Sequence, residues 1–302
     1  MTAPTSNPSL LHPLTDGRGV FAMLALDQRE SLRTMMAAGG DPTSIADQAL
    51  TDFKVMAADI LTPHATAVLL DRPFGLPTGD RSGLSDGCAL ILAADVLHQP
   101  PGQPVESTAF DEAITTEVVQ ATGAAALKLL VMWAADGDAL GRRRTVDAFL
   151  ARCREAGVAA VVEAIVVPPD AGFAPGARDE AILAAARELS PGADLYKAQV
   201  PGYVPGDTTG VRAAAEALTS AIDVPWVVLS NGVRTEDFHD AVREACLAGA
   251  SGFLAGRAIW ADTVTEDDPA AALRDRSVER LTQLRAVVAE STAARRQVGA
   301  QG

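Results

Sequence analysis

Lysine is rare in this chain, and its positions indicate a nucleophilic amine. The 302 residues include only three lysines, against 22 arginines. Arginine stays protonated in proteins, whereas a buried lysine is able to lose its proton and attack a carbonyl group. Lys128 lies in the apolar run AALKLLVMW and Lys197 in DLYKAQVP, so both are candidate nucleophiles. Lys54, in SIADQALTDFKVMAADIL, is interpreted instead as a helix residue whose ammonium group reaches solvent.

A glutamate in a third apolar run adds a proton carrier. Glu163 is flanked by valines in VVEAIVVP, and a carboxylate in such a run must be paired or protonated. Two buried amines repel each other as cations, which favours one neutral amine that can form a Schiff base with a ketone. With Glu163 moving protons, these groups would make or break a carbon–carbon bond beside a ketone. A buried ion-pair network is the alternative for the same three residues.

Two glycine-containing sequences indicate an anion site. SNGV contributes Ser230, Asn231 and Gly232, and AGRA contributes Gly256 and Arg257. Backbone N–H groups and a guanidinium fork suit a phosphate or a sulfonate. The net charge of -14 opposes the capture of anions and argues against nucleic acid as a partner, so a local positive group is required. The alternative for Arg257 is an ion pair with Asp262.

The elements that must position these residues alternate between apolar runs and segments with helical spacing. This alternation predicts a single (β/α)8 TIM barrel of class α/β; an open doubly wound sheet is the alternative, although no glycine-rich phosphate loop follows the first strand. Gly157 and Gly249 directly precede the fifth and eighth runs, where glycine commonly ends a helix. The predicted strands span residues 20–26, 65–70, 89–94, 124–132, 158–166, 194–200, 224–229 and 252–255. The predicted helices span residues 43–61, 111–121, 140–156, 178–189, 208–222, 235–248 and 269–289.

Polar residues follow the predicted strands at the end where barrel enzymes carry their chemistry. Asp27, Gln28 and Arg29 end the first strand in LALDQRE and are expected to bind substrate. Asp71 and Asp95 follow the second and third strands and are equally consistent with turns or helix caps.

The remaining composition limits the class of protein. Three separated cysteines and four single histidines give neither a disulfide framework nor a metal site, so no metal and no cofactor is expected. The first residues lack a signal-peptide pattern and no apolar run is long enough to span a membrane, which favours a cytoplasmic protein without a membrane partner. With no linker, residues 1–302 are predicted to form one domain with short flexible termini at about 1–17 and 291–302.

The ordered motifs LALDQRE, Lys128, Glu163, DLYKAQVP, WVVLSNGV and AGASGFLAGRAIW resemble those of the bacterial class I tagatose-bisphosphate aldolase family over roughly residues 18–290. MLALDQRESLR and AGASGFLAGRAIW are most similar to the sulfofructosephosphate aldolase branch. That branch cleaves 6-deoxy-6-sulfofructose 1-phosphate to dihydroxyacetone phosphate and sulfolactaldehyde. Asn231 departs from the family pattern, which has a small residue before the glycine.

The resemblance implies a role for each matching residue. Lys197 would be the Schiff-base lysine and Glu163 the acid/base, while Lys128, Asp27 and Gln28 would line the pocket and assist. Arg257 would bind the anionic group of a small ketose substrate. Independently of the resemblance, Trp260, Leu254 and the apolar helix faces favour a homo-oligomer. The alternatives are a tagatose or fructose 1,6-bisphosphate aldolase, a catalytically idle sugar-phosphate-binding regulator, and a barrel isomerase or epimerase.

Overall fold

Eight parallel strands close into a barrel in the computed structural model, which describes residues 8–169, 172–174 and 176–299. The strands of the chain are β1 (Phe21–Leu26), β2 (Ala67–Leu70), β3 (Ala89–Ala93), β4 (Asp95–His98), β5 (Ser107–Phe110), β6 (Ala126–Trp133), β7 (Ala159–Val166), β8 (Leu195–Gln199), β9 (Trp226–Leu229) and β10 (Gly252–Ala255). The barrel order is β1, β10, β9, β8, β7, β6, β3, β2, and β4 pairs with β5 in a separate antiparallel hairpin. The predicted TIM barrel is confirmed.

Most helices connect successive strands and cover the outside of the barrel, whereas the first precedes β1 and the last three follow β10. They are α1 (Pro8–Leu11), α2 (Glu30–Met36), α3 (Asp47–Leu61), α4 (Arg72–Gly75), α5 (Thr116–Thr122), α6 (Ala139–Ala156), α7 (Ala177–Leu189), α8 (Val211–Ala221), α9 (Thr235–Leu247), α10 (Arg257–Trp260), α11 (Pro269–Ala272) and α12 (Val278–Gly299). Short 3-10 turns span His12–Leu14, Pro42–Ser44, Thr62–His64 and Ala261–Thr263. The predicted last helix is divided by a π-helical turn at Leu273–Ser277.

The local sequence explains where several helices begin and end. The Thr115 hydroxyl accepts a hydrogen bond from the Val118 N–H, so α5 begins after Thr115 and not at the predicted residue 111. The Asp138 carboxylate caps α6 in the same way. Gly157 ends α6 with a φ of 68°, a left-handed conformation that glycine adopts without steric cost, as the sequence predicted.

The apolar core has two layers because side chains alternate along each strand. Ala22 and Leu24 of β1 pack outward against the helices, whereas Phe21 and Met23 face the barrel interior. Leu14, from the segment before β1, is fully buried in the interior layer. The barrel is therefore a packed core, and space for chemistry remains at the carboxyl ends of the strands.

The terminal segments predicted to be flexible lie partly outside the described residues, namely 1–7 and 300–302. Residues 8–14 form two short helical turns, and Leu11 is buried there. The last helix α12 continues to Gly299, with Ser291 and Thr292 buried. Within the described part of the chain, no helix is both long and apolar enough to cross a membrane.

Candidate active site

The two-residue alternation of the strands brings the three ionisable strand residues together. Lys128, Glu163 and Lys197 each lie an even number of residues after a side chain that faces the barrel interior, so they point inward too. Glu163 pairs in register with Lys197 on the neighbouring strand. The interior-facing residues that set this phase are Ala126 on β6, Ala159 on β7 and Leu195 on β8.

Lys128 lies at the centre of three carboxylates. Its Nζ is 2.6 Å from Asp27 Oδ2, 2.8 Å from Asp95 Oδ2 and 3.4 Å from Glu163 Oε2. Burial alone would lower the pKa of this amine, but the three carboxylates outweigh burial and raise it. The repulsion between two amines expected from the sequence is thus offset, and Lys128 is an ammonium ion at neutral pH.

Asp27 stays ionised for the complementary reason. Burial acts to raise the pKa of this carboxyl, but the positive charges of Lys128, Lys197 and Arg29 lower it below its ordinary value. Asp27 follows β1 directly, as the sequence predicted, and its carboxylate faces the same cavity as the two lysines.

Lys197 and Lys128 share Glu163. The Lys197 Nζ is 2.9 Å from Glu163 Oε2, the same oxygen that Lys128 approaches at 3.4 Å. Glu163 is the one carboxylate within ion-pair distance of Lys197 among the described residues. A carboxylate between two amines can move a proton at either of them.

Arg29 lies after β1, as the sequence predicted, and its guanidinium is bonded to Asp95. Its guanidinium donates to the Asp95 carbonyl oxygen at 2.9 Å and to Asp95 Oδ1 at 3.1 Å. Arg29 does not line the cavity that contains the lysines; it lines a neighbouring cavity of about 520 Å³ with Arg33 and Phe74. The contact of Arg29 with substrate therefore stays a prediction.

The interpretation of Lys54 as a solvated helix residue is wrong. Lys54 is 1% exposed, and its ammonium bonds to the buried carboxylate of Asp71. Burial lowers the pKa of this lysine, with Asp71 opposing the effect. Asp71 also caps α4 by accepting the Phe74 N–H at 3.0 Å, so the sequence alternative of a helix cap is correct here. This pair lies outside the cavity that contains the other two lysines.

The predicted anion residues follow β9 and β10. Arg257 is exposed at the start of α10, and its guanidinium donates to the side-chain oxygen of Asn231. Asp262, the alternative partner considered from the sequence, is bonded instead to Arg280 and lies 3.3 Å from Arg276. Asn231, the residue that departs from the family pattern, thus orients the cation that was predicted to bind the anion.

Glycine is required at the end of β10 by a close approach. A Cβ atom on Gly256 would lie 2.3 Å from the Ala25 carbonyl oxygen on β1. Gly232 has a φ of 81°. Ser230, Gly232 and Gly256 do not line the cavity, so their predicted contact with substrate remains a prediction.

The cavity at the carboxyl ends of the strands has a volume of about 270 Å³ and is lined by seven of the predicted site residues. These are Asp27, Gln28, Lys128, Glu163, Lys197, Asn231 and Arg257. The Gln28 side-chain oxygen is buried and has no hydrogen-bond partner among the described residues, so it is available to a ligand hydroxyl. The described residues contain no group of three or more His, Cys, Asp or Glu side chains arranged to hold a metal ion.

Sequence reasoning missed the hairpin that forms one wall of the cavity. The cavity is lined by Leu97 of β4, by Gln99, Pro104 and Val105 of the hairpin connection, and by Ser31 of α2. The hairpin follows β3 directly. An alternation of eight strands and helices predicts a helix at this point and no additional strands. The turn sequence PPGQP between two short β-prone segments is the signal that would have found it.

A barrel with amines and carboxylates at the carboxyl ends of its strands is the architecture of a barrel enzyme. Comparison with protein families makes the class specific: the chain belongs to the DeoC/LacD family of aldolases, whose model matches residues 21–262. The chain is therefore an aldolase, a carbon–carbon lyase.

Curated relatives are tagatose 1,6-diphosphate aldolases. The chain is 28% identical over 279 residues to tagatose 1,6-diphosphate aldolase 1 of Enterococcus faecalis, covering 84% of each chain. It is 27% identical over 313 residues to tagatose 1,6-diphosphate aldolase 2 of Streptococcus pyogenes, covering 89% of this chain and 91% of the relative. The resemblance to this family is confirmed, whereas the resemblance to the sulfofructosephosphate branch stays a prediction.

Solved structures agree on the fold. The fructose-bisphosphate aldolase of Plasmodium falciparum superposes with a TM-score of 0.66 at 16% identity, over 95% of this chain and 97% of that one. The fructose-bisphosphate aldolase of Slackia heliotrinireducens gives a TM-score of 0.57 at 18% identity, over 93% and 89%. At these identities the likeness shows the barrel fold alone.

Proposed function

We propose that the protein is a class I aldolase that cleaves a ketose 1-phosphate through a Schiff base on Lys197. The observation that carries the proposal is the unequal environment of the two lysines. Three carboxylates surround Lys128, which fixes it as a cation, whereas Lys197 contacts Glu163 alone among the described carboxylates. Lys197 is the amine that needs one proton acceptor to become a nucleophile, and that acceptor is 2.9 Å away.

The proposed reaction uses the cavity residues in turn. The Lys197 amine attacks C2 of the ketose, and loss of water from the carbinolamine gives an iminium ion. Removal of the C4 hydroxyl proton, with Glu163 as the base, then breaks the C3–C4 bond and releases the aldehyde. The bonding electrons move into the iminium, giving an enamine that is protonated at C3 and hydrolysed to dihydroxyacetone phosphate. The ion pair of Lys128 and Asp27 lies in the same cavity and provides fixed charges close to the reacting groups.

For the substrate, we infer 6-deoxy-6-sulfofructose 1-phosphate, which would yield dihydroxyacetone phosphate and sulfolactaldehyde in sulfoquinovose breakdown. Among the described residues that line the cavity, Arg257 is the one cation without a carboxylate partner. One free guanidinium suits one phosphate dianion. A sulfonate carries a single delocalised charge, so neutral donors such as amides are sufficient for the other end of the substrate.

The alternative substrate is tagatose or fructose 1,6-bisphosphate, which is favoured by the names of the curated relatives. A bisphosphate brings two dianions, which would need a second free cation at the cavity. Turnover of the sulfonated ketose and of both bisphosphates is therefore to be measured side by side, with coupled detection of dihydroxyacetone phosphate. A kcat/KM higher for either bisphosphate than for the sulfonated ketose would replace the proposed substrate by the bisphosphate.

The Schiff base has a direct test, because the chain has only three lysines to distinguish. Borohydride added with dihydroxyacetone phosphate should inactivate the protein and leave a stable adduct that peptide mapping places on Lys197. Lys197→Arg should give no adduct and no cleavage, because guanidinium stays protonated. An adduct on Lys128 would reverse the two roles, and a folded protein without any adduct would favour the regulatory alternative.

A further inference from the structure

Asp95 is buried at the junction of the barrel and the hairpin. Its sequence position, after the third predicted strand, is equally consistent with a turn or a helix cap. Its side chain has no exposed surface. One carboxylate oxygen accepts hydrogen bonds from the Lys128 ammonium at 2.8 Å and from the Leu130 N–H at 3.0 Å. The other accepts from the Arg29 guanidinium at 3.1 Å. Both oxygens of this carboxylate therefore accept hydrogen bonds from donors that the fold holds in place.

The three carboxylates around Lys128 differ in what else they can do. Asp27 and Glu163 line the cavity, and Glu163 also contacts Lys197. Asp95 does not line the cavity, so it cannot touch a substrate bound there. Its contact with Lys128 is therefore the means by which it would influence the reaction.

Lys128 and Lys197 both approach the same oxygen of Glu163, at 3.4 Å and 2.9 Å. The contact from Lys128 is the longer one because its ammonium group is also bonded to Asp27 and Asp95. If the Asp95 charge were removed, Lys128 would be free to move toward Glu163 and compete with Lys197 for that oxygen. Proton transfer at Lys197 would then be impaired.

We propose that Asp95 is a positioning residue, which holds Lys128 as an ammonium group away from Glu163 and so leaves Glu163 to Lys197. This inference rests on the proposed Schiff-base function. Arg29 holds Asp95 in this position, because its guanidinium donates to both the backbone carbonyl and the carboxylate of Asp95, the first residue of β4. The hairpin wall and the Lys128 ammonium thereby share one point of attachment.

The test compares Asp95→Asn with Asp71→Asn. Asp71 is the matched control, since it is also a fully buried carboxylate that bonds a lysine and a backbone N–H, yet it lies outside the cavity. Its approach to Arg29 is a distant one of 4.0 Å, against 3.1 Å for Asp95. The number of working sites in each variant is titrated by borohydride trapping of dihydroxyacetone phosphate on Lys197. Cleavage is then expressed as kcat per trapped site, which a simple loss of folded protein does not change.

Asp95→Asn should lower kcat per site about 10- to 150-fold with little change in KM, because a hydrogen bond to a charged group has been lost while the substrate contacts remain. The adduct should stay on Lys197. Asp71→Asn should lower the melting temperature and leave kcat per site unchanged. An unchanged kcat per site in Asp95→Asn overturns the inference, and so does an equal loss in both variants.

Arg29→Gln decides the matter if Asp95→Asn does not fold. The inference expects a fall in kcat per site in the same direction but smaller, since Asp95 keeps its bonds to Lys128 and Leu130. A raised KM with unchanged kcat would mean that Arg29 binds substrate, and it would overturn the inference. If the wild-type protein itself forms no adduct on Lys197, the proposed function fails; if only the variants behave otherwise than expected, this inference alone fails.

Discussion

Replacement of Arg257 by alanine should weaken catalysis through loss of an anion contact. The guanidinium has five N–H donors and spends one of them on Asn231 among the described residues, so the others are available to a phosphate. Removing a charge-assisted hydrogen bond costs about 1.5 to 3 kcal/mol, which corresponds to a fall of roughly 10- to 150-fold in kcat/KM. Lysine at this position should restore activity only in part, because an ammonium group lacks the planar fork.

The assay uses pairs of substrates that differ by one anion. Cleavage of the sulfonated ketose is compared with cleavage of fructose 1-phosphate, and borohydride trapping of dihydroxyacetone phosphate with that of dihydroxyacetone. Arg276→Ala is the matched control, since it also removes one positive charge but pairs with Asp262 and Glu266 outside the cavity. If Arg257→Ala reduces cleavage of the sulfonated ketose more than that of fructose 1-phosphate, Arg257 binds the sulfonate. If it reduces trapping of dihydroxyacetone phosphate more than that of dihydroxyacetone, Arg257 binds the phosphate.

An equal loss on all four compounds, dihydroxyacetone included, would refute the reasoning. Arg257 would then support the end of β10 through Asn231 and would have no direct contact with an anion. A loss of the same size in Arg276→Ala would refute it in a different way, because the effect would come from the net charge of the protein and not from a local contact.

Three further outcomes are expected. Glu163→Gln should lower kcat by about 10²- to 10⁴-fold, the usual range for a general acid/base, in a steady-state assay; a change mainly in KM would make Glu163 a binding residue. Activity should survive exhaustive treatment with EDTA, since the iminium polarises the carbonyl carbon, and recovery of lost activity by zinc or manganese would contradict the lysine mechanism. Asp27 has a lowered pKa in the folded state, so its contribution to the free energy of unfolding should be present above the ordinary carboxyl pKa of about 4 and lost as the pH falls below it; urea titrations of the wild type and Asp27→Asn should converge at acid pH.

The barrel was predictable because its strands are buried on both faces. Runs such as residues 158–166 are apolar except for Glu163, and the observed strand Ala159–Val166 differs by one residue at its start. The hairpin Asp95–His98 with Ser107–Phe110 was not predictable in the same way, since its exposed and half-buried residues do not form apolar runs. Its place over the cavity depends on tertiary contacts that periodicity does not encode.

The candidate site was predictable where an ionisable side chain interrupts an apolar strand, as at Glu163. Strand phase then fixes its direction, and the shared end of the barrel fixes its neighbours. The position of Arg29 was not predictable, because residues two apart after a strand end point in different directions. Asp27 faces the cavity, whereas the Arg29 guanidinium bonds to Asp95. That distinction depends on the loop geometry and not on residue type.

The geometry of the ammonium group explains why lysine occurs at these three positions of an arginine-rich chain. An ammonium group is compact and directs three donors away from one point, which suits carboxylates that converge from different strands, as Asp27, Asp95 and Glu163 converge on Lys128. A guanidinium group is a planar fork that matches one carboxylate at two points, as Arg142 does with Glu188 at 2.7 Å and 3.0 Å. All three lysines are buried and each contacts a carboxylate. In this arginine-rich chain each lysine therefore marks a buried contact with a carboxylate, and this criterion would have identified Lys54 as buried where helical spacing suggested a solvated residue.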